Sequence, residues 1–186
     1  RLNAMLPRDV RIHKVELAPE GFHARFSATS REYKYRINQS EIENPLIGRY
    51  QLWHKYPLDA KKMHDAGQHL LGLHDFAAFC KPRAGSTTIR EMKKLEVSKT
   101  DDEIIIDLEA DAFCHNQVRS IVGALVAIGE DELSVDQLLT ILNEKKRVGK
   151  FKVVGPEGLT LMRVNYPADH LLAGQAEKTR NMRSLE

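Results

Sequence analysis

The segment Asp101-Asp102-Glu103-Ile104-Ile105-Ile106-Asp107-Leu108-Glu109-Ala110-Asp111 decides the fold. Ile104, Ile106, Leu108 and Ala110 recur at every second position, the period of a strand with one buried face. Asp101-Asp102 supplies turn chemistry on its N-terminal side, which predicts a hairpin back to a strand within Ser86–Ser98 that carries Ile89, Met92 and Leu95. Downstream the period changes. Over His115–Ile128 the apolar residues Val118, Ile121, Val122 and Leu125 fall at helical spacing, the strongest helix signal in the chain.

Working outward, Asp59–Leu71 predicts a second helix, with Met63, Ala66, Leu70 and Leu71 on one stripe and Gly72 as its stop. Ser134-x-x-Gln137 is a capping box that opens a helix through Leu142. Arg31–Ile37 alternates, placing Tyr33, Tyr35 and Ile37 on one face and Glu32, Lys34 and Arg36 on the other. Phe22–Ala28 alternates as cleanly, and Val10–Leu17 weakly, so both read as β-like. Gly158–Tyr166 closes the series as a strand. Arg1–Leu6 reads as the end of a helix that Pro7 terminates. A loop from Asn38 to Gly48 leads into the aromatic group Tyr50, Trp53 and Tyr56, for which the pattern specifies no element. From residue 31 to 166 the order is β-α-β-β-α-(α)-β. This is the split βαβ, ferredoxin-like pattern of the α+β class, a mostly antiparallel sheet with helices on one face. It leaves one bare sheet face, a surface that RNA-binding folds of this topology use as a platform.

Composition narrows the function classes. The chain has 186 residues, 42% apolar and 29% charged, which is globular chemistry rather than a disordered tail or a fibre. The longest uncharged apolar stretch, Ile121–Gly129, is about half of what a bilayer crossing needs, so no membrane partner is expected. Two cysteines, Cys80 and Cys114, stand in no metal-binding or redox spacing and read as reduced thiols near the core of a cytoplasmic protein. Twenty-eight Lys and Arg against 26 Asp and Glu leave a net charge of only +2. The cations are clustered, however: His23, Arg25, Arg31, Lys34 and Arg36; then Lys81, Arg83, Arg90, Lys93 and Lys94; then Lys145, Lys146, Arg147, Lys150 and Lys152. Beside aromatic residues such clusters suit phosphate contacts and base stacking; solvated faces are the plainer alternative.

Other candidate chemistry is weaker. His64, Asp65, His69 and His74 are spaced wrongly for a shared metal on a helix, and no metal is expected. Asp9, Asp101, Asp102, Asp107 and Asp111 are carboxylates that a turn and a strand edge explain. No glycine-rich phosphate loop, G-x-S-x-G or paired Cys and His occurs, so the residues by themselves compose no catalytic centre.

A family resemblance adds what the patterns do not. Leu6-Pro7-x-Asp9-Val10, Phe22-His23-Ala24-Arg25-Phe26-Ser27-Ala28-Thr29 and Arg31-x-Tyr33-x-Tyr35 resemble the tRNA pseudouridine synthase A family. So do Gly72-Leu73-His74-Asp75-Phe76-Ala77-Ala78-Phe79, the run Phe113-Cys114-His115-Asn116-Gln117-Val118-Arg119-Ser120-Ile121-Val122-Gly123, and Gly158-Leu159-x-Leu161-x-x-Val164-x-Tyr166. The blocks keep the family's order and reach to about residue 167. The resemblance implies an isomerase that converts uridine to pseudouridine at positions 38 to 40 of the tRNA anticodon stem-loop, without cofactor or metal. The target base is flipped out, cut from its ribose, turned and rejoined through C5, and flipping needs offsetting contacts.

The same resemblance assigns roles. Tyr33 is the substrate-site tyrosine that stacks on the uracil, with a packing role in the sheet as the alternative. Arg119 pairs with the family's essential aspartate, with a helix-surface arginine as the alternative. His23, Arg25 and Arg31 line the RNA cleft or buttress it. The family's Gly-Arg-Thr-Asp segment, which carries that aspartate, occurs nowhere in these residues. No catalytic residue is therefore expected in this chain, and the nucleophilic aspartate is expected upstream of Arg1. The chain reads as the C-terminal half of the enzyme, residues 1–167, followed by a polar tail over 168–186, with its own N-terminal half as partner and a homodimer implied by the family. The loop Val154-Gly155-Pro156-Glu157 departs from the family pattern. The competing reading from a different class is a non-catalytic RNA-binding module of ferredoxin-like fold.

Overall fold

The computed structural model describes residues 1–83, 85–146 and 149–181. Its elements are α1 (Leu2–Met5), β1 (Ser30–Asn38), β2 (Leu52–Trp53), α2 (Ala60–Gln68), β3 (Gly72–Asp75), β4 (Ile89–Thr100), β5 (Glu103–Ala110), α3 (Gln117–Gly129), α4 (Val135–Glu144), β6 (Leu159–Asn165) and α5 (Leu172–Arg180). Short 3-10 turns at Ala77–Phe79 and Asp169–Leu171 complete the path. The four longer strands lie in the order β6-β1-β5-β4, all neighbours antiparallel. This is the α+β, split βαβ arrangement expected from the element order, because β5 separates β1 from β4. β3 adds an edge beside β4, and β2 pairs parallel with the end of β1 at Ile37 and Asn38.

The deciding hairpin forms as its pattern requires. Asp101 takes a positive φ of 44°, and Ile104, Ile106, Leu108 and Ala110 are buried in register with Tyr35, Tyr33 and Met92 of the neighbouring strands. Asp59 caps α2 by accepting from the amide of Lys62; the helix ends at Gln68, capped by His69, earlier than the expected stop, and Gly72, with φ +93°, instead opens β3. Both arms of the Ser134/Gln137 capping box are made.

α3 departs from the expected amphipathic stripe: every residue from Gln117 to Gly129 except Arg119 is buried. The helix lies between the sheet with α2 on one side and the 151–154 segment on the other, where Phe151 stacks on Phe79. A Cβ at Gly123 would overlap the carbonyl oxygen of Lys152, so glycine there sets how closely that segment approaches.

Four expectations are corrected. Phe22–Ala28 is a turn, not a strand. The amides of Arg25 and Phe26 both donate to the His23 ring nitrogen Nδ1 at 3.2 Å, and the Ser27 amide donates to the His23 carbonyl at 2.9 Å. Local side-chain acceptors thus replace a ladder. Val10–Leu17 pairs with no strand among the described residues and is exposed apart from Ile12, Leu17 being 98% accessible. Cys80 and Cys114 are joined as a disulfide; their Cα atoms lie 5.7 Å apart because the Ala77–Phe79 turn abuts the entry to α3. Sequence spacing gives no hint of that juxtaposition. Finally, the segment read as a polar tail forms α5 over 172–180 and buries Leu172 and Ala176; residues 182–186 lie outside the described residues. No described helix is long and apolar enough to cross a membrane.

Tyr35 ties the core to the loop that departs from the family pattern. It is fully buried, and its hydroxyl donates to the Gly155 carbonyl at 2.8 Å. Burial pushes its ionisation well above the ordinary tyrosine range, the nearby Glu157 charge adds to this, and Arg119 opposes it. Tyr35→Phe is expected to cost about 1 kcal/mol of stability, since it leaves a carbonyl unpaired. The folded state holds this proton to higher pH than the unfolded chain, so the associated stability is complete below about pH 10 and declines above it. Urea titrations across the alkaline range check both effects: the variant should lose the corresponding part of the alkaline decline, and an identical pH profile would contradict the assignment.

Candidate functional site

β1 organises the site because its alternation sorts chemistry to two faces. Residues 31, 33, 35 and 37 face the helices, whereas 32, 34 and 36 face the open side. Tyr33 is half-buried, and its ring meets Phe113 edge-on at 5.1 Å between centroids. Its hydroxyl takes no hydrogen bond among the described residues. Phe113 belongs to the segment that enters α3, where Asn116 adopts a left-handed φ of 67° before the first turn. The Gln117 side-chain carbonyl accepts from the Cys114 amide at 2.9 Å and fixes that entry.

Arg119, on the first turn of α3, stands on the same side of the sheet, where its charge reaches Tyr35. Its Nε donates to the Val154 carbonyl at 2.7 Å. Among the described residues its two terminal nitrogens take no partner, so the end of the guanidinium that binds a carboxylate side-on is available. Tyr33 and Arg119 therefore share the helix-facing side of β1 near the 113–119 segment.

The three residues suggested for the RNA cleft separate into different tasks. Arg31 donates from Nη1 to the Asp111 carbonyl at 2.6 Å and to the Ala28 carbonyl at 3.5 Å, and from Nη2 to the Arg25 carbonyl. It buttresses the turn against the end of β5. Burial lowers its pKa, and three carbonyl acceptors receive a guanidinium that stays charged. His23 organises the turn through Nδ1 and packs on Phe26. Arg25 alone is open to a ligand: its guanidinium lies 5.3 Å from the Phe26 ring centroid, and its side chain makes no hydrogen bond among the described residues.

Arg25 and Arg31 border a cleft of about 740 Å³ at the end of the sheet where β1 and β4 begin and β5 ends. Arg83, Arg90 and Lys93 line the same space, so the first two cation clusters of the sequence converge there. The bare sheet face is different. Lys34 pairs with Asp107 at 3.4 Å, Arg36 with Glu103 at 3.5 Å and Lys94 with Glu96 at 3.0 Å. Glu32 and Glu109 add negative charge, and no aromatic ring occupies this face of β1, β4 or β5. It has neither the charge nor the rings of an RNA platform.

The third cluster lies in the loop after α4; Arg147 falls outside the described residues. Among the described residues no group of three His, Cys, Asp or Glu side chains is placed to hold a metal. His64 Nδ1 accepts from the Val97 amide, and His74 Nε2 bonds the Leu71 carbonyl.

Fold and site together define the class: a split βαβ domain with a tyrosine and an arginine on its helix-facing side and a cationic cleft beyond them. The comparisons specify the family. Residues 66–167 match the family model described as tRNA pseudouridine synthase. The chain is 46% identical over 188 residues to tRNA pseudouridine synthase A of Streptomyces avermitilis, covering 100% of this chain and 66% of that protein. It is 44% identical over 186 residues to the same-named protein of Frankia casuarinae, covering 98% and 68%, and 42% identical over 185 residues to that of Mycobacterium leprae, covering 99% and 65%. The chain belongs to the tRNA pseudouridine synthase family, and it spans about two thirds of the length of these relatives.

Arg31→Ala is expected to destabilise the fold by roughly 2 kcal/mol, because three carbonyls lose a charged donor. Arg25→Ala should cost less than about 1 kcal/mol, the worth of an exposed cation–π contact. Chemical denaturation checks this order, and equal effects would contradict the division between buttress and ligand-facing arginine.

Proposed function

We propose that the protein is a tRNA pseudouridine synthase acting on uridines at positions 38 to 40 of the anticodon stem-loop, and that these residues supply its substrate-binding half. The observation that carries the reading is Arg119, half-exposed on the otherwise buried α3, with its terminal nitrogens open on the side of the sheet that holds Tyr33. An open guanidinium beside a half-exposed tyrosine suits an ionised carboxylate and a flipped base.

In this reading the uracil stacks on Tyr33 and Arg119 holds the essential aspartate ionised. The bond between C1′ and N1 breaks, the base turns, and a bond between C1′ and C5 forms. C5 loses its hydrogen as a proton and N1 gains one, so the reaction is a balanced isomerisation. Family membership and the absence of a Gly-Arg-Thr-Asp segment from these residues support an aspartate supplied from outside the 186 residues. Cytoplasmic location, a homodimer and docking of an N-terminal half are parts of the same proposal, carried by the family resemblance.

Tritium release from 5-tritiated uridine in tRNA tests the reading. The protein at the full length of its relatives should release tritium, and Tyr33→Phe should slow release on the order of a hundredfold, the usual scale for a positioned proton-handling group. Near-normal release by the variant would reduce Tyr33 to a packing residue. The 186 residues alone should release none; turnover by them would show that the nucleophile is misplaced. Tight tRNA binding without turnover by the longer protein would favour the non-catalytic RNA-binding module.

A further inference from the structure

The C-terminal segment, polar and featureless in sequence, is built into the wall of the cationic cleft. α5 is fastened to the turn that carries Arg25. The Ser27 hydroxyl donates to the Leu172 carbonyl at 3.0 Å, and a Cβ at Gly21 would lie 2.7 Å from that of Ala173. The Tyr166 hydroxyl donates to the Ala24 carbonyl at 2.8 Å just before the helix. These contacts anchor the first turn of α5, and its last turn, with Arg180 over the Phe26 ring, brings Lys178 and Arg180 to the cleft that Arg83 and Lys93 also line.

Charge is what calls for a ligand here. The Arg180 guanidinium lies 5.2 Å from the Phe26 ring centroid and that of Arg25 lies 5.3 Å from the same centroid. Two like charges sharing one ring repel each other. Among the described residues none of Arg25, Arg83, Lys93, Lys178 and Arg180 has a carboxylate partner, although Glu91 and Asp111 also border the cleft. Asp111 is engaged with the amides of Glu91 and Ala112 through Oδ1. On the open sheet face, by contrast, Lys34, Arg36 and Lys94 are each paired with an acid. Five cations without carboxylate partners around one cleft focus its potential and draw polyanions.

We infer that Lys178 and Arg180 of α5 form, with Arg25, a phosphate-binding wall that grips the tRNA backbone beside the flipped nucleotide. The placement follows from β1: Arg31 at the cleft and Tyr33 at the base site are two residues apart on one strand face, on the order of 7 Å. The inference rests on the tRNA reading above, but its residues lie beyond the 66–167 stretch matched by the family model.

The test is filter binding of an unmodified tRNA transcript to the full-length protein over a range of salt concentrations. Lys178→Ala with Arg180→Ala is expected to weaken binding about five- to tenfold near 0.1 M salt. It should also lower the slope of log affinity against log salt by about 1.5, the contribution of two phosphate contacts. Lys178→Arg with Arg180→Lys keeps both charges and should keep the wild-type slope, which a change in folding would not restore so selectively. Wild-type affinity and slope in the alanine variant would overturn the inference. If Arg25→Ala still reduces the slope in that event, the tRNA reading stands and α5 alone is excluded. A wild-type protein whose tRNA binding is insensitive to salt would instead sink the underlying reading.

Discussion

The register of β1 is the constraint on which the rest depends. Eight of its nine residues pair with β5 along one edge, and β6 and β2 pair along the other, so the strand has no freedom to slip. The inward row runs from Arg31 at the cleft through Tyr33 at the site to Tyr35 and Ile37 in the core. A shift of one residue would send Glu32, Lys34 and Arg36 inward and expose both tyrosines. One strand therefore positions a buttress for the cationic turn, an aromatic ring for the proposed substrate site and an anchor for the 155 loop.

The same alternation explains how a chain of almost neutral net charge presents a cationic surface. Cations of β1 and β4 that point to the open side meet Glu96, Glu103 and Asp107 and are neutralised there. Those at the strand beginnings and on the turn and α5 meet few acids, and they converge at the end of the sheet. Net charge averages over these two environments. Their separation is a property of the fold, and it moves the expected RNA surface from the bare sheet face to the cleft.

The hairpin, the capped helices and the inward row of β1 were legible in sequence because each rests on local periodicity or a local hydrogen bond. The turn at Phe22–Ala28 was not: its alternating Phe22, Ala24, Phe26 and Ala28 satisfies a strand pattern, while His23 and Ser27 divert the backbone amides. β3 has only four residues and owes its pairing to β4, a partner no local pattern reveals. Tyr33 and Arg119 stand out in sequence only through their motifs, and their common side of the sheet emerges only when α3 packs. α5 escaped notice because its two buried residues, Leu172 and Ala176, are few and its polar composition suits a tail. Its contribution to the cleft depends on contacts with residues about 150 positions earlier, such as Ser27.

The most direct test of the central claim, that RNA is held at the end cleft rather than on the open sheet face, is lysine footprinting of the full-length protein with and without tRNA. Acetylation of Lys93 and Lys178 should be suppressed by tRNA, while Lys34 and Lys94 should react to the same extent in both states. Protection of Lys34 and Lys94, with Lys93 and Lys178 unchanged, would place the RNA on the opposite surface and contradict the account.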